Sequence, residues 1–254
     1  MHTLIYDNSF EGWLTAIFEV YEYKFTDVFI ERASLYKSSL PEKEHTIITS
    51  EAKAVRVWEG LKQKLSPRAL QQLYNCFLSE EKGIENTMLA YTRYAFSYKE
   101  TVEHDLNNAA VLKIGVTARK VLRERRRMNA FVRFQSTADG LYYALVEPGF
   151  NVLPLITKHF KERYANQRWL IYDTFRKYGI YYNLQTVETV SISFDEQNTP
   201  DTCGMYNEKE VLYQQLWQQY LKSANTMAGK SIKLYIQCMP LQHWKYLTEK
   251  KDFM

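Results

Sequence analysis

The sequence predicts an α+β protein, with a helical N-terminal half followed by a small antiparallel β-sheet with packed helices. Three observations carry that expectation. Apolar residues recur at three- and four-residue spacing from Phe10 to Met128, the spacing shortens to alternation at Phe131, and short β-rich runs between turn residues follow. The change of period falls near residue 129. It divides the chain into a helical region, 1–129, that ends in a basic helix and an α+β region, 130–254. No flexible linker marks the boundary, so the halves are also compatible with one shared core.

The elements follow in order. Asn8 with Glu11 three residues later has the form of a capping box, and Phe10, Trp13, Leu14, Ile17, Phe18 and Tyr21 then lie on one helical face. A second helix is expected through Ala54, Val55, Trp58, Leu61 and Leu65. Ser66-Pro67 supplies an N-cap and a first-turn proline for a third, with Leu70, Leu73, Tyr74, Phe77 and Leu78 along one side. Gly83 punctuates before a fourth helix over Ile84 to Ser97. A long fifth helix runs from Leu106 to Met128, its apolar face made of Val111, Ile114, Ala118, Val121 and Leu122.

Beyond it, Phe131 to Phe134, a turn at Ala138-Asp139-Gly140 and the run Leu141 to Val146 read as a β-hairpin, ended by Pro148-Gly149. Val152 to Tyr164 reads as a helix. Strands are expected over Arg168 to Asp173, Ile180 to Leu184 and Val187 to Phe194. A polar loop from Asp195 to Asn207, a helix from Glu208 to about Met227 and a short helix over Leu241 to Leu247 complete the chain.

At 254 residues the chain is long enough to bury a core without disulfides or metals. Hydrophobic residues at 46% and charged residues at 24% exclude a disordered or membrane-embedded chain. No apolar run reaches the roughly 18 residues of a membrane span, and no secretory leader follows Met1, so a cytoplasmic location is expected. Cys76, Cys203 and Cys238 are far apart and form no Cys-x-x-Cys pair. Aromatic content, with 20 tyrosines, is the outlier of the composition; most such rings fill cores or lie half-buried, and exposed ones can also stack on unpaired bases.

The net charge of +4 is unevenly placed: Lys113 to Arg133 carries +7, leaving the rest of the chain at −3. Arg119, Arg123, Arg126 and Arg127 share one side of the long helix, with Lys120 beside them and Glu124 as the single acid among them. Arginine forks match phosphate oxygens, and several together displace condensed counterions. The helix leads into Phe131, Arg133 and Phe134, where aromatic and basic groups alternate as they do on strands that hold a nucleic-acid backbone and stack on its bases. These eight residues are the candidate nucleic-acid-binding set. Intramolecular pairing is the competing reading of the arginines, and ordinary core packing that of the phenylalanines.

No catalytic motif is present. The chain lacks Gly-x-Ser-x-Gly, a Walker sequence, Gly-x-Gly-x-x-Gly and the zinc-deaminase signature. The five histidines show no metal-ligand spacing, so no metal and no cofactor is expected. Asp105 after His104 reads as a helix cap, and His159 as a core or boundary residue. Any active site would be assembled from scattered groups such as Asp173, Arg176, Glu147 and Glu162.

Several stretches together resemble a bacterial family of unknown function described as probable DNA metabolism or repair proteins. They are Tyr6-Asp7-Asn8-Ser9-Phe10-Glu11-Gly12, Arg127 to Phe134, Pro148 to Leu155, His159-Phe160, Gln167 to Asp173, Met239-Pro240 and Trp244-Lys245-Tyr246-Leu247. Asn8 stands where glycine is expected in the opening motif, a change compatible with a tight turn. The resemblance implies a DNA role, partnership with a radical-SAM protein of presumed DNA repair, and fusion in some members to a uracil-DNA-glycosylase-like domain. It supplies no catalytic residue, and the chain lacks the radical enzyme's own Cys-x-x-x-Cys-x-x-Cys. The expectation is a nucleic-acid-binding accessory protein of DNA metabolism or repair, with DNA ahead of RNA. The alternatives are a hydrolase or glycosylase built from scattered carboxylates, and a protein-interaction scaffold.

Overall fold

A computed structural model describes residues 1–36, 43–98, 101–136 and 140–191. The chain forms two compact units, 1–122 and 123–254, and the division falls within a helix. The loop 195–207, the helices over 208–227 and 241–247, Cys203, Cys238, the turn residues Ala138 and Asp139 and the motif from Met239 to Leu247 lie outside the described residues.

The first unit opens with strand β1 (His2–Tyr6), helix α1 (Phe10–Glu22), and strands β2 (Val28–Arg32) and β3 (Lys43–Thr46). These strands form a wholly parallel sheet in the order β2-β1-β3, with Leu4 beside Ile30 and His45. The sequence reading, helix after helix, missed this sheet. Its strands have four or five residues, and β3 (Lys-Glu-His-Thr) carries no apolar alternation to betray it. α1 supplies the crossover that two parallel strands require.

Helices α2 (Glu51–Lys64), α3 (Pro67–Phe77), α4 (Ile84–Ser97) and α5 (Ala109–Phe131) follow, at the expected places. Ser50 and Ser66 cap α2 and α3, each hydroxyl accepting from the backbone N–H three residues on. Two caps differ from expectation. Ser9, not Asn8, caps α1 by accepting from Gly12 N at 2.9 Å, while Asn8 takes the left-handed conformation at φ 68° that asparagine tolerates. Asn108, not Asp105, caps α5, its Oδ1 accepting from Ala110 N and Val111 N. Asp105 instead accepts from Tyr94 and Asn107.

Leu4, Trp13, Ile17, Ile30, Leu61, Leu73 and Met88 form the core of this unit. Inside it, Arg32 Nε donates to Glu85 Oε1 at 2.6 Å and Arg32 Nη2 to the Phe77 carbonyl at 2.9 Å. The guanidinium also lies over the Phe77 ring. A charge buried this deeply survives only with such complete pairing.

The second unit carries the C-terminal end of α5, then β4 (Gln135–Ser136), β5 (Tyr142–Val146), α6 (Leu153–Arg163), β6 (Trp169–Asp173), β7 (Tyr178–Tyr182) and β8 (Val187–Val190). The five strands make one sheet in sequence order. The expected antiparallel sheet needs one amendment, because β5 and β6 run parallel, Tyr142 pairing with Trp169 and Val146 with Asp173. α6 is the crossover between them, whereas β6–β7 and β7–β8 are antiparallel.

The α+β class stands. The expected hairpin shrinks to the two-residue strand β4, since α5 keeps Phe131 helical. Phe160, Trp169, Ile171 and Tyr172 anchor the core of this unit. Gly179 is there because a Cβ at that position would come within 2.8 Å of the Ile171 carbonyl.

Candidate nucleic-acid interface

Six of the seven basic residues of α5 separate into two groups; the seventh, Arg125, is half-buried, and its Nε has no hydrogen-bond partner among the described residues. Lys113 and Lys120 reach back to Glu81, at 2.8 and 3.0 Å, and Thr117 donates to the same carboxylate. Burial acts to raise the Glu81 carboxyl, but the hydrogen bonds and charges of the two lysines outweigh it and hold the group below the ordinary range. Arg127 bonds the buried Glu124 at 3.2 Å. Arg119, Arg123 and Arg126 are exposed, and among the described residues no carboxylate holds any of them. The Nε of Arg119 donates to the Gly115 carbonyl one turn earlier, which aligns the side chain along the helix.

Spacings of four and three put Arg119, Arg123 and Arg126 on one face, a stripe about 10 Å long at 1.5 Å per residue. That length is about three axial steps of a nucleic-acid strand at roughly 3.4 Å each. Lys120 and Arg127, grouped with them in the sequence, flank the stripe and are held by the two glutamates. Arg133 turns back to donate to the Ala130 and Val132 carbonyls.

The two phenylalanines lie elsewhere than on a strand. Phe131 is the last residue of α5 and half-buried. Phe134 lies edge-on to Phe160 and Tyr164 and beside Trp169, with ring centroids 5.2 to 6.4 Å apart. Its ring is half-buried and joins an aromatic cluster at the edge of the second unit's core.

Glu124 does more than pair with Arg127. Its Oε1 accepts from Gly149 N at 3.0 Å, while the Pro148 carbonyl, on the same peptide group, accepts from Arg176 Nη1 at 3.0 Å. One peptide is thus clamped between α5 and the β6–β7 turn. Sequence reading could not find this clamp, because no spacing relates residues 124, 148 and 176.

The scattered groups considered for catalysis are tied into the fold. Asp173 is fully buried, and its carboxylate accepts from Phe175 N, Arg176 N and Arg176 Nη1 at 2.9 to 3.1 Å. Glu147 accepts from Thr174, whereas Glu162 sits exposed on α6 beside Lys158. His159 sets its ring edge-on to Phe160 and is half-buried. Among the described residues no group of three His, Cys, Asp or Glu side chains could hold a metal ion, and no helix is long and apolar enough to cross a membrane.

The first unit also holds an open, largely apolar pocket of about 550 Å³, walled by Phe10, Leu14, Val55, Trp58, Leu70 and Tyr74.

Fold and surface together define an α+β protein with a concentration of cations on one helix. Residues 82–249 match a family described as a domain of unknown function, DUF4130, and the chain belongs to that family. The match takes in α4, the arginine helix and the mixed sheet, and leaves the apolar pocket outside it. No curated protein and no solved structure matches the chain.

Proposed function

We propose that this protein is a nucleic-acid-binding accessory factor of DNA metabolism or repair, acting in the cytoplasm, that holds phosphates along α5 and positions DNA for a partner enzyme. One observation carries the reading: Arg119, Arg123 and Arg126 stand exposed on one helical face, while Lys113 and Lys120 share the single charge of Glu81 and Arg127 pairs with Glu124. A solvated helix face usually carries both signs, and here no exposed acid stands among the three arginines. The commitment of Asp173 and Arg176 to their own turn favours this reading over a hydrolase or glycosylase built on those groups. A radical-SAM protein is the partner that the family resemblance suggests.

The test is binding to labelled single-stranded and duplex DNA over a salt series, with an RNA competitor. The Arg119→Ala/Arg123→Ala/Arg126→Ala variant is run beside the wild type. Binding strengthens as salt falls, and the variant loses roughly 0.9 in log–log slope for each duplex phosphate contact removed, or about 0.7 for single strands. A slope unchanged in the variant removes α5 from the interface, and absence of binding at low salt removes the reading altogether.

A further inference from the structure

Within the second unit, the β6–β7 turn presents a feature that neither packing nor the sequence motifs account for. Phe175 is 71% exposed, the one phenylalanine among the exposed large apolar side chains of the described residues. An aromatic ring left in water contributes nothing to the core, and a turn normally carries polar residues at its tip.

This tip is also held rigidly. Asp173 Oδ1 accepts from both Phe175 N and Arg176 N, and Lys177 N donates to the Asp173 carbonyl at 2.9 Å while taking φ 59°. Thr174 N donates to Val146 O on the neighbouring parallel strand. Four consecutive residues, 174 to 177, are therefore fixed by backbone hydrogen bonds to β5, to β6 or to a buried carboxylate. A ring held in place in advance loses little conformational entropy on binding.

Two basic residues adjoin the ring, of which Arg176 is paired with Asp173. The Arg176 guanidinium lies 5.5 Å from the Phe175 ring centroid, and Lys177 is exposed next to it. The turn is joined to the basic helix within the same unit. Arg176 bonds the Pro148 carbonyl, the N–H of that peptide bonds Glu124, and Glu124 bonds Arg127. Glu124 is the immediate neighbour of Arg123. The turn that presents the ring is thus clamped to α5 through Glu124, about 100° around the helix from Arg123, so a strand held at Arg123 reaches Phe175 only by passing to that flank of the helix.

We infer that Phe175 is a stacking platform for an unpaired nucleobase, making single-stranded or locally opened nucleic acid the substrate class of this surface. The inference rests on the nucleic-acid reading above and deepens it. The ligand must offer a free π-face, which a paired base inside a duplex does not; stacking also tolerates any of the bases, so binding should be insensitive to sequence. Phe175 is a residue that no motif marked, beside the aromatic candidates of the sequence, Phe131 and Phe134.

The experiment uses the full chain and a single-stranded oligonucleotide carrying one 2-aminopurine, whose fluorescence falls on stacking, alongside a blunt duplex of the same sequence. Phe175→Ala weakens single-strand binding by roughly 5- to 150-fold, the range of one base–aromatic stack, and abolishes the quench. It leaves duplex affinity and the salt slope unchanged, and Phe175→Trp retains both single-strand affinity and quench. The exposed position keeps the fold intact, which an unchanged thermal midpoint verifies.

Single-strand affinity unaltered in Phe175→Ala, or an equal loss on single strand and duplex, overturns the inference. The arginine-dependent salt slope then still stands as the separate test of the α5 reading. Failure of the wild type to bind either DNA overturns both together.

Discussion

Asp173 provides the sharpest test of how the second unit is held. Its carboxylate is fully buried and accepts three hydrogen bonds, at 2.9 Å from Phe175 N, 3.1 Å from Arg176 N and 2.9 Å from Arg176 Nη1. Asp173→Asn keeps an oxygen for the two backbone donors but sets an amide NH₂ against the guanidinium, so the charge-assisted bond is lost. The cost is about 1.5–3 kcal/mol. Asp173→Ala removes all three acceptors and leaves a largely buried guanidinium without its carboxylate, at about 3–5 kcal/mol.

Because the turn closes the β6–β7 ladder, the loss should appear first as local opening of that hairpin. At 1.4 kcal/mol per decade, amide hydrogen exchange in the segment 169–182 accelerates roughly 10- to 150-fold in the Asn variant and further in the Ala variant. Hydrogen-exchange mass spectrometry reads this directly, with α1 and α2 as internal references that do not change. Exchange within twofold of wild type in both variants would refute the assignment of Asp173 to the turn and return it to the pool of groups free for chemistry.

Three further outcomes are expected. Gly179→Ala pushes a methyl group toward the Ile171 carbonyl, so overpacking of about 1–3 kcal/mol lowers the calorimetric midpoint by about 2–12 °C. The Cys76 thiol, pushed up to about 12 by burial and donating to the Ile114 carbonyl, stays unlabelled by iodoacetamide in the native protein and reacts only once urea unfolds the first unit. Glu19 is desolvated, which alone would raise its carboxyl, yet hydrogen bonds from His45 and Lys53 hold it below the ordinary value. Its contribution to stability is therefore present above the unfolded carboxylate value, near 4.3, and is lost as pH falls through the lower folded value. Urea midpoints of wild type and Glu19→Gln should differ at pH 7 and converge only as the pH falls below the lowered folded value; a gap that persists once Glu19 is protonated in the folded protein would contradict this.

Local signals served well where the physics is local. Ser66-Pro67 and Gly83 placed the starts of α3 and α4 because a hydroxyl cap, a first-turn proline and a left-handed glycine act within four residues. The apolar face Val111, Ile114, Ala118 and Val121 placed α5 for the same reason. Where the sequence offered two local solutions it misled: Asn8 and Ser9 both suit a cap, and the hydroxyl one residue on has the better reach to Gly12 N. The alternation from Phe131 suggested a strand, but the helix simply continues to that residue.

By itself, the sequence determined the α+β class, the positions of six helices, most of the second sheet's strands and the concentration of cations on one helix. Each of these is written in periodicity or charge along a few turns of chain. Only the tertiary structure decided that short segments far apart form a parallel sheet, that β5 and β6 run parallel, and which cations are paired. Glu81 claims Lys113 and Lys120 from more than thirty residues away, and Glu124, Pro148 and Arg176 meet through a single peptide group. It also decided that Phe134 is half-buried in an aromatic cluster and Phe175 is exposed, although both are phenylalanines next to basic or strand residues in the chain. The physical reason is the same in each case: a hydrogen bond or a buried ring depends on distance in space, and one-dimensional order fixes that distance only across a turn or two.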